Sequence, residues 1–281
     1  MKQNHKTDAY RKVVTALLVL VAVLLVACVV CLCILLAGGG KSSVGDTKDT
    51  AASGSESSAD TTAIQGHQPV YDDVILPETP DAGTSYQDGI VFVGDSITAH
   101  LVDRGGLTGG VLTQQVWHTK DKTLNLNAEV VTKQIILPAT KEKMTVAEAA
   151  ERTKPQIMVI TLGIDWGVAY LNESDFKACY TALVKAVQKA SPKTTVILQS
   201  IFPITEKAES KNLTNEKINI CNDWVKAVAD ACGCPYLDTQ SVLKDENGLL
   251  KAEYATSDGI HITAEGYQTI LQYIRTHAYG A

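Results

Sequence analysis

Three short stretches of this chain hold residue types that do chemistry. Gly94-Asp95-Ser96-Ile97 carries a hydroxyl, Asp258-Gly259-Ile260-His261 carries an Asp and a His three residues apart, and Gly163-Ile164-Asp165-Trp166 carries a further carboxylate. A serine hydroxyl is too weakly acidic to attack at neutral pH without a base. Imidazole titrates near that pH, so His261 is the candidate base, and Asp258 is the candidate that holds the ring in the useful tautomer. Ser96, His261 and Asp258 together make a nucleophile, a base and an orienter, the parts needed for acyl transfer. Each stretch alone has a plainer reading. Asp95 or Ser96 serves as a helix N-cap, and Asp258-Gly259 makes a turn with His261 on the surface beside it. The conjunction of the parts is what points to chemistry.

The elements that must position these residues follow an α/β pattern from Gly89 onward. Ile90–Val93, Ile157–Leu162 and Thr195–Leu198 are continuous apolar runs, as in strands buried on both faces, and Pro235–Leu237 is a shorter fourth. Helical spacing of apolar residues predicts helices over Ser174–Ala190, Leu213–Ala231 and Thr263–Ala278, the last with Thr263 as N-cap. Alternating strands and helices argue for a parallel sheet covered on both faces. Sites in such sheets form at the carboxyl ends of strands, where Ser96 and Asp165 fall. Residues 105–150 are less regular. Gly105-Gly106 and Gly109-Gly110 mark turns, Val111–Val116, Thr123–Asn127 and Val130–Leu137 are candidate short strands in an inserted hairpin, and Met144–Thr153 reads as a helix.

The chain here resembles the SGNH hydrolase superfamily, also called GDSL esterases and lipases. Gly94-Asp95-Ser96-Ile97 matches its first block, with Ile for the usual Leu, and Asp258-Gly259-Ile260-His261 matches its last, an Asp-x-x-His followed by Ile262-Thr263-Ala264-Glu265-Gly266-Tyr267. The resemblance covers roughly 89–281. It implies a three-layer α/β/α, flavodoxin-like fold with a parallel sheet, and ester hydrolysis through an acyl-enzyme with Ser96 as nucleophile, His261 as base and Asp258 as orienter. The order Ser, Asp, His is shared with α/β-hydrolases, but those need Gly-x-Ser-x-Gly, and Thr98 stands at the second Gly. The third block departs from the family. A Gly-x-Asn is expected there, its amide donating to the oxyanion. Gly163 fits, but Asp165 replaces the Asn. An ionised carboxylate accepts hydrogen bonds and repels a developing negative charge, whereas a buried, protonated one donates. Ser96 N–H, Gly163 and Asp165 are therefore the expected oxyanion and substrate-binding groups. The second-block glycine has no clear match among Gly105, Gly106, Gly109 and Gly110.

Ahead of this body lies a different composition. The 281 residues carry 25 Lys+Arg against 31 Asp+Glu, a net charge of −6, which excludes a strongly basic nucleic-acid binder, and a hydrophobic share of 45% excludes a wholly disordered chain. Yet residues 1–12 hold Lys2, Lys6, Arg11 and Lys12 against Asp8 alone. Val13–Ala37 follows without a charge, about 37 Å long as a helix at roughly 1.5 Å per residue, enough to cross a membrane. The positive-inside rule puts residues 1–12 in the cytoplasm and the body outside. A second reading is a lipoprotein, because Leu25-Val26-Ala27-Cys28 resembles a lipobox. Residues 38–88 are expected to be an extracytoplasmic stalk, flexible over the Gly-, Ser-, Thr-, Ala- and Asp-rich part to 66, with Val70–Leu76 as an alternative strand on the domain. The hydrolase domain is 89–281.

Cys179, Cys221, Cys232 and Cys234 are expected as free buried thiols, since Cys221 and Cys232 share one helix and Cys232-Gly233-Cys234 is too tight a loop. No His/Cys pattern supports a metal, and no cofactor is expected. The expected function is an extracytoplasmic, bacterial, membrane-anchored serine esterase on acyl or acetyl esters of cell-surface or dietary glycans, with no nucleic-acid partner. An O-acyltransferase and a glycan-binding module without catalysis are the alternatives. Trp166 and the pair Trp117-His118 are candidates for lining a substrate pocket, and His100 for a structural role on the helix of Ser96.

Overall fold

The computed structural model describes residues 72–280. The expected cytoplasmic residues 1–12, the expected span Val13–Ala37 with Cys28, and the expected stalk as far as residue 71 lie outside the described residues. Among those described, no helix is long and apolar enough to cross a membrane.

The apolar runs form one sheet. β1 (Ile90–Gly94), β2 (Val116–Trp117), β5 (Ile157–Thr161), β6 (Thr195–Gln199) and β7 (Tyr236–Leu237) lie in the order β2-β1-β5-β6-β7, every neighbouring pair parallel. In the central pair, Ile90 faces Ile157 and Gly94 faces Thr161. Phe92, Val93, Val159, Ile160, Ile197 and Leu198 are buried, as strands covered on both faces must be. Chain direction across the sheet reverses between β1 and β5, and that crevice at the carboxyl edge is where open α/β sheets place ligands.

Helices cover the sheet. α1 (Gly83–Asp88), α2 (Ser96–Ala99) and α3 (Leu101–Arg104) flank β1, and α4 (Val146–Thr153) precedes β5. α5 (Gly167–Tyr170) and α6 (Glu173–Ala190) follow it. α7 (Asn215–Cys232) joins β6 to β7, with α8 (Gln240–Leu243) and α9 (Ala264–Arg275) closing the chain. The long ones match the sequence periodicity. α6 buries Phe176, Tyr180, Leu183, Val184 and Val187 on one stripe and starts where the Asn172 side chain accepts from Asp175 N. α7 ends at Gly233, whose φ of +64° suits a residue without Cβ. Thr263 caps α9 as expected, accepting from Gly266 N.

The structure corrects the sequence reading in four places. β2 is a fifth strand of the main sheet, and only Val116 of the expected Val111–Val116 strand belongs to it. Val111 and Leu112 lie in a 3-10 turn and are exposed. The hairpin exists but pairs β3 (Gln134–Ile136) with β4 (Lys143–Thr145), so Met144 is in a strand and the helix starts after Thr145. Thr145 and Glu148 form a reciprocal capping box, the signal that sets that start. Thr123–Asn127 forms no strand, although Leu124 and Leu126 are fully buried.

The fourth concerns residues 72–88, read above with the stalk or, over Val70–Leu76, as a strand on the domain. Ile75 bridges to Tyr236, Leu76 N–H donates to the Tyr236 carbonyl, and Arg275 of α9 reaches Asp81 and Gln87. These residues belong to the folded body because they extend the β7 edge and cover α9. Cys179, Cys221, Cys232 and Cys234, the cysteines among the described residues, are free, the last three of them buried, and burial pushes the Cys221 and Cys234 thiols up to about 12.

Candidate active site

Ser96 owes its position to a tight exit from β1. A Cβ on Gly94 would fall 2.1 Å from Thr98 Oγ1 and 2.2 Å from the Thr161 carbonyl, so only glycine lets the chain turn this closely beside β5. Asp95 then caps α2, its Oδ1 accepting from Ile97 N, and Ser96 becomes the first helical residue, half-buried at the carboxyl edge. Tyr267 of α9 ties down this turn by donating its hydroxyl to the Ile97 carbonyl at 2.6 Å.

His261 arrives from the loop before α9. Asp258 Oδ1 accepts from Ile260 N, His261 N and the Thr256 hydroxyl, and its Oδ2 meets His261 Nδ1 at 2.8 Å. Gly259 makes the turn with φ +79°, and its carbonyl accepts from Thr205 N. Thr205 is so close that a Cβ on Gly259 would lie 2.1 Å from its hydroxyl. Burial acts against the Asp258 charge, but the backbone and side-chain donors around it outweigh that and hold its carboxyl well below the ordinary range. An ionised Asp258 only accepts, so Nδ1 carries the ring proton and Nε2 is free as acceptor. Nε2 stands 3.0 Å from Ser96 Oγ. Ser96 and His261, 165 positions apart in sequence, are thus joined with Asp258 by two short hydrogen bonds.

Asp165 joins them. It sits past the end of β5, half-buried, with Oδ2 accepting from Ser96 N at 3.4 Å and Oδ1 at 3.3 Å from Ser96 Oγ. Desolvation raises its pKa, while the two bonds from Ser96 and the charge of His261 act the other way. Proton counting shows why the acid form suits this arrangement. Ser96 has one hydroxyl proton, and both His261 Nε2 and an ionised Asp165 would draw on it. With Asp165 protonated, its O–H donates to Ser96 Oγ, the Ser96 hydroxyl donates to Nε2, and Nδ1–H donates to Asp258, so every link is satisfied.

Gly163 takes a different part from the one expected. Its N–H and that of Ile164 donate to Asp95 Oδ2, each at 3.3 Å, and its carbonyl accepts from Val168 N. It shapes the turn that carries Asp165 rather than presenting an N–H to an oxyanion. The fully enclosed Asp95 carboxyl is pushed well up by burial and then by the Asp165 charge, against its three backbone donors. It stitches the turn after β1 to the turn after β5, a link with no sequence signal beyond the cap itself. Nor do the four candidate second-block glycines follow β2. All precede it, and Gly105 and Gly110 give their N–H groups to the Leu101 and Leu107 carbonyls. His118 and Thr119 stand at the end of β2 instead, and Trp117 is buried in the core rather than facing substrate.

Two further groups adjoin the site. His100, at the junction of α2 and α3, packs edge-on to the His261 ring at 5.1 Å and 88°, with Nδ1 held by Asp103 at 3.2 Å. Its spacing from Ser96 predicted the shared helical stretch but not the contact with His261. Trp166 and Tyr170, one helical turn apart next to Asp165, are 40% and 61% exposed with ring centroids 4.7 Å apart, an uncovered aromatic pair rather than core.

The family model for the GDSL-like lipase/acylhydrolase family matches residues 92–269. Among solved structures, a protein described as lipolytic and of the G-D-S-L family from Desulfitobacterium hafniense is similar at 16% identity and a TM-score of 0.47, covering 67% of this chain and 98% of its own. One described as an acylhydrolase from Bacteroides fragilis is similar at 21% identity and a TM-score of 0.47, covering 71% and 88%. A carbohydrate esterase of family 3 from Talaromyces cellulolyticus is similar at 17% identity and a TM-score of 0.41, covering 66% and 93%. No curated protein matches the chain by sequence.

Proposed function

The chain belongs to the GDSL-like lipase/acylhydrolase family and is an ester-hydrolysing enzyme, and from that premise we propose that Ser96, His261 and Asp258 do the hydrolysis, on esters reached from the outer face of a membrane. The observation that carries this reading is the distance of 3.0 Å from Ser96 Oγ to His261 Nε2, with Asp258 at 2.8 Å from Nδ1. Ser96 Oγ attacks the ester carbonyl carbon while its proton passes to Nε2. The tetrahedral intermediate collapses as the carbon–oxygen bond to the alcohol breaks, and His261 returns the proton to the departing oxygen. Water then gives a proton to His261, attacks the acyl-Ser96 carbonyl and releases the acid, and Ser96 regains its proton.

The oxyanion is served by Ser96 N–H and, on a simple ester, by the acid form of Asp165. Ionised Asp165 holds that N–H for itself and opposes the new charge. Simple esters therefore need neutral His261 and protonated Asp165 at once, and their pH profile is bell-shaped. The exposed Trp166–Tyr170 pair beside Asp165 supports an acylated glycan as substrate, since such rings stack on sugar faces. Anchoring by Val13–Ala37 with the body outside rests on its uncharged length and the four basic residues before it.

The test is turnover of p-nitrophenyl acetate and butyrate by the full-length protein across pH 5–9, beside Ser96→Ala. Loss of hydrolysis in the variant, with its melting temperature kept, is expected. Equal activity in parent and variant would remove Ser96 from the chemistry.

A further inference from the structure

We propose that the ester this site is built for is an α-aminoacyl ester, with an ammonium group on the carbon next to the reacting carbonyl and Asp165 as its counter-ion. This rests on Ser96 being the nucleophile. Asp165 touches both groups that define the oxyanion side of the reaction, Ser96 N at 3.4 Å and Ser96 Oγ at 3.3 Å. Anything that bonds to Oγ must therefore place one of its substituents against this carboxylate. In the tetrahedral intermediate the choices are the oxyanion, the departing oxygen and the acyl carbon chain. The departing oxygen belongs beside His261 Nε2, which must protonate it and which meets Oγ separately at 3.0 Å. The oxyanion or the acyl chain is left for Asp165.

An oxyanion alone facing a carboxylate is repelled. An ammonium on the α-carbon removes the conflict, because it lies two bonds from the reacting carbon and on the same side as the carbonyl oxygen when the N–C–C–O torsion is small. One of its N–H groups then donates to the oxyanion and another to Asp165. The substrate thereby supplies the donor that an Asn side chain supplies elsewhere in the family, and the carboxylate becomes useful because it is ionised. Among the described residues, the cation that acts on Asp165 is His261, and it forms no ion pair with that carboxylate. Arg104, the basic side chain of α3, is turned to Asp103 and the Ile262 carbonyl, and His261 is committed to Asp258. The carboxyl nearest in sequence to Ser96, Asp95, is buried and held by the Gly163 and Ile164 N–H groups. A cation on the alcohol portion, as in a choline ester, would fall on the His261 side instead.

The experiment compares alanine ethyl ester with ethyl isobutyrate, which replaces the ammonium by a methyl of similar size, using full-length protein near pH 7. At that pH the amino group is protonated, its ordinary pKa being about 7.7–8.0. Each kcat/KM is divided by the hydroxide rate for the same ester, because the ammonium activates the carbonyl by itself. The parent is expected to favour the alanine ester by about tenfold to a hundredfold, the range of a charge-assisted hydrogen bond. Asp165→Asn is expected to reverse the order, lowering the alanine ester and raising the isobutyrate. A second reading needs no variant. Alaninamide should inhibit the parent more strongly than isobutyramide. A corrected ratio at or below one, a ratio unchanged in Asp165→Asn, equal inhibition by the two amides, or a preference for acetylcholine over the alanine ester would overturn the proposal. Ser96→Ala separates the two failures. If that variant is inactive while the ratio stays flat, only the counter-ion is wrong, and if it remains active, the nucleophile reading falls as well.

Discussion

Replacing Asp165 by Asn on a simple acetyl ester isolates the chemistry of one atom. Asn keeps a carbonyl oxygen to accept from Ser96 N and puts an N–H where Asp165 Oδ1 now stands, 3.3 Å from Ser96 Oγ. Two effects change together. The variant gains an oxyanion donor at every pH, worth about 10²–10³ in rate, or roughly 2.7–4 kcal/mol. It also loses a charge that would sit about 4 Å from the oxyanion, a repulsion of order 4 kcal/mol at an effective dielectric constant near 20. The parent escapes both penalties only in the fraction of molecules whose Asp165 is protonated. Burial raises that pKa, and protonated Asp165 is the form present below it. Above the raised pKa the parent rate on simple esters should fall about tenfold per pH unit. The advantage of Asp165→Asn should therefore be small in acid and grow with pH, to at least about 10²–10³ where Asp165 is fully ionised. The assay is kcat/KM for p-nitrophenyl acetate from pH 5 to 9 in both proteins, with hydroxide rates subtracted and melting temperatures measured. The parent should give a bell and the variant a rise to a plateau. A folded variant no faster than the parent at pH 8 would refute the oxyanion assignment, and a gain independent of pH would refute the role of the Asp165 proton.

Other expectations concern neighbouring parts. Asp258→Asn leaves the loop shape but takes away the carboxylate that fixes the His261 tautomer, and kcat should drop by about 10⁴ with little change in KM; an effect below tenfold would exclude Asp258 as orienter. Gly259→Ala forces a side chain into φ +79° and against the Thr205 hydroxyl, so stability should fall by about 1–2 kcal/mol or more, read by urea denaturation, with a larger loss of activity because His261 is carried by the same turn. Trp166→Ala should leave p-nitrophenyl acetate turnover within about twofold and raise KM several-fold for an acetylated oligosaccharide, since one face of a stacking pair is removed; equal KM values would exclude the aromatic pair as a sugar platform. A cysteine placed at Ser53 should react with a membrane-impermeant maleimide in intact cells while one at Thr7 reacts only after lysis, and the reverse pattern would invert the topology.

Much of the sheet was legible because buried parallel strands are written as continuous apolar runs. Ile90–Val93 and Ile157–Leu162 are of this kind, and each lies within a residue of the observed β1 and β5. The long helices were legible from their period, and Thr263 from its capping chemistry. The stretch 105–150 was not. There the strands are two or three residues long, too short to display alternation, and Leu124 and Leu126 are buried although the stretch that holds them forms no regular element. Residues 72–88 were left between a stalk and a strand on the domain for a related reason. Their attachment is a single bridge at Ile75 and a few contacts to α9, and proline-rich extended chain looks the same whether or not a partner is beside it.

By itself the sequence determined which chemical groups this protein has at two strand ends and before its last helix: a hydroxyl at 96, a carboxylate at 165 where an amide was expected, and an Asp and a His three residues apart. Local sequence also set the tautomer, because Asp258 and His261 share one turn and need no distant partner to meet. Tertiary structure alone decided what Asp165 does. The residue is separated from Ser96 by 69 positions, and only the parallel pairing of β1 with β5 brings its carboxylate onto the nucleophile's N–H and Oγ. The same packing encloses Asp95 and leaves the Trp166–Tyr170 pair open. Proton affinity and access to substrate depend on desolvation and on neighbouring charge, and those are properties of the folded surroundings that no residue type carries alone.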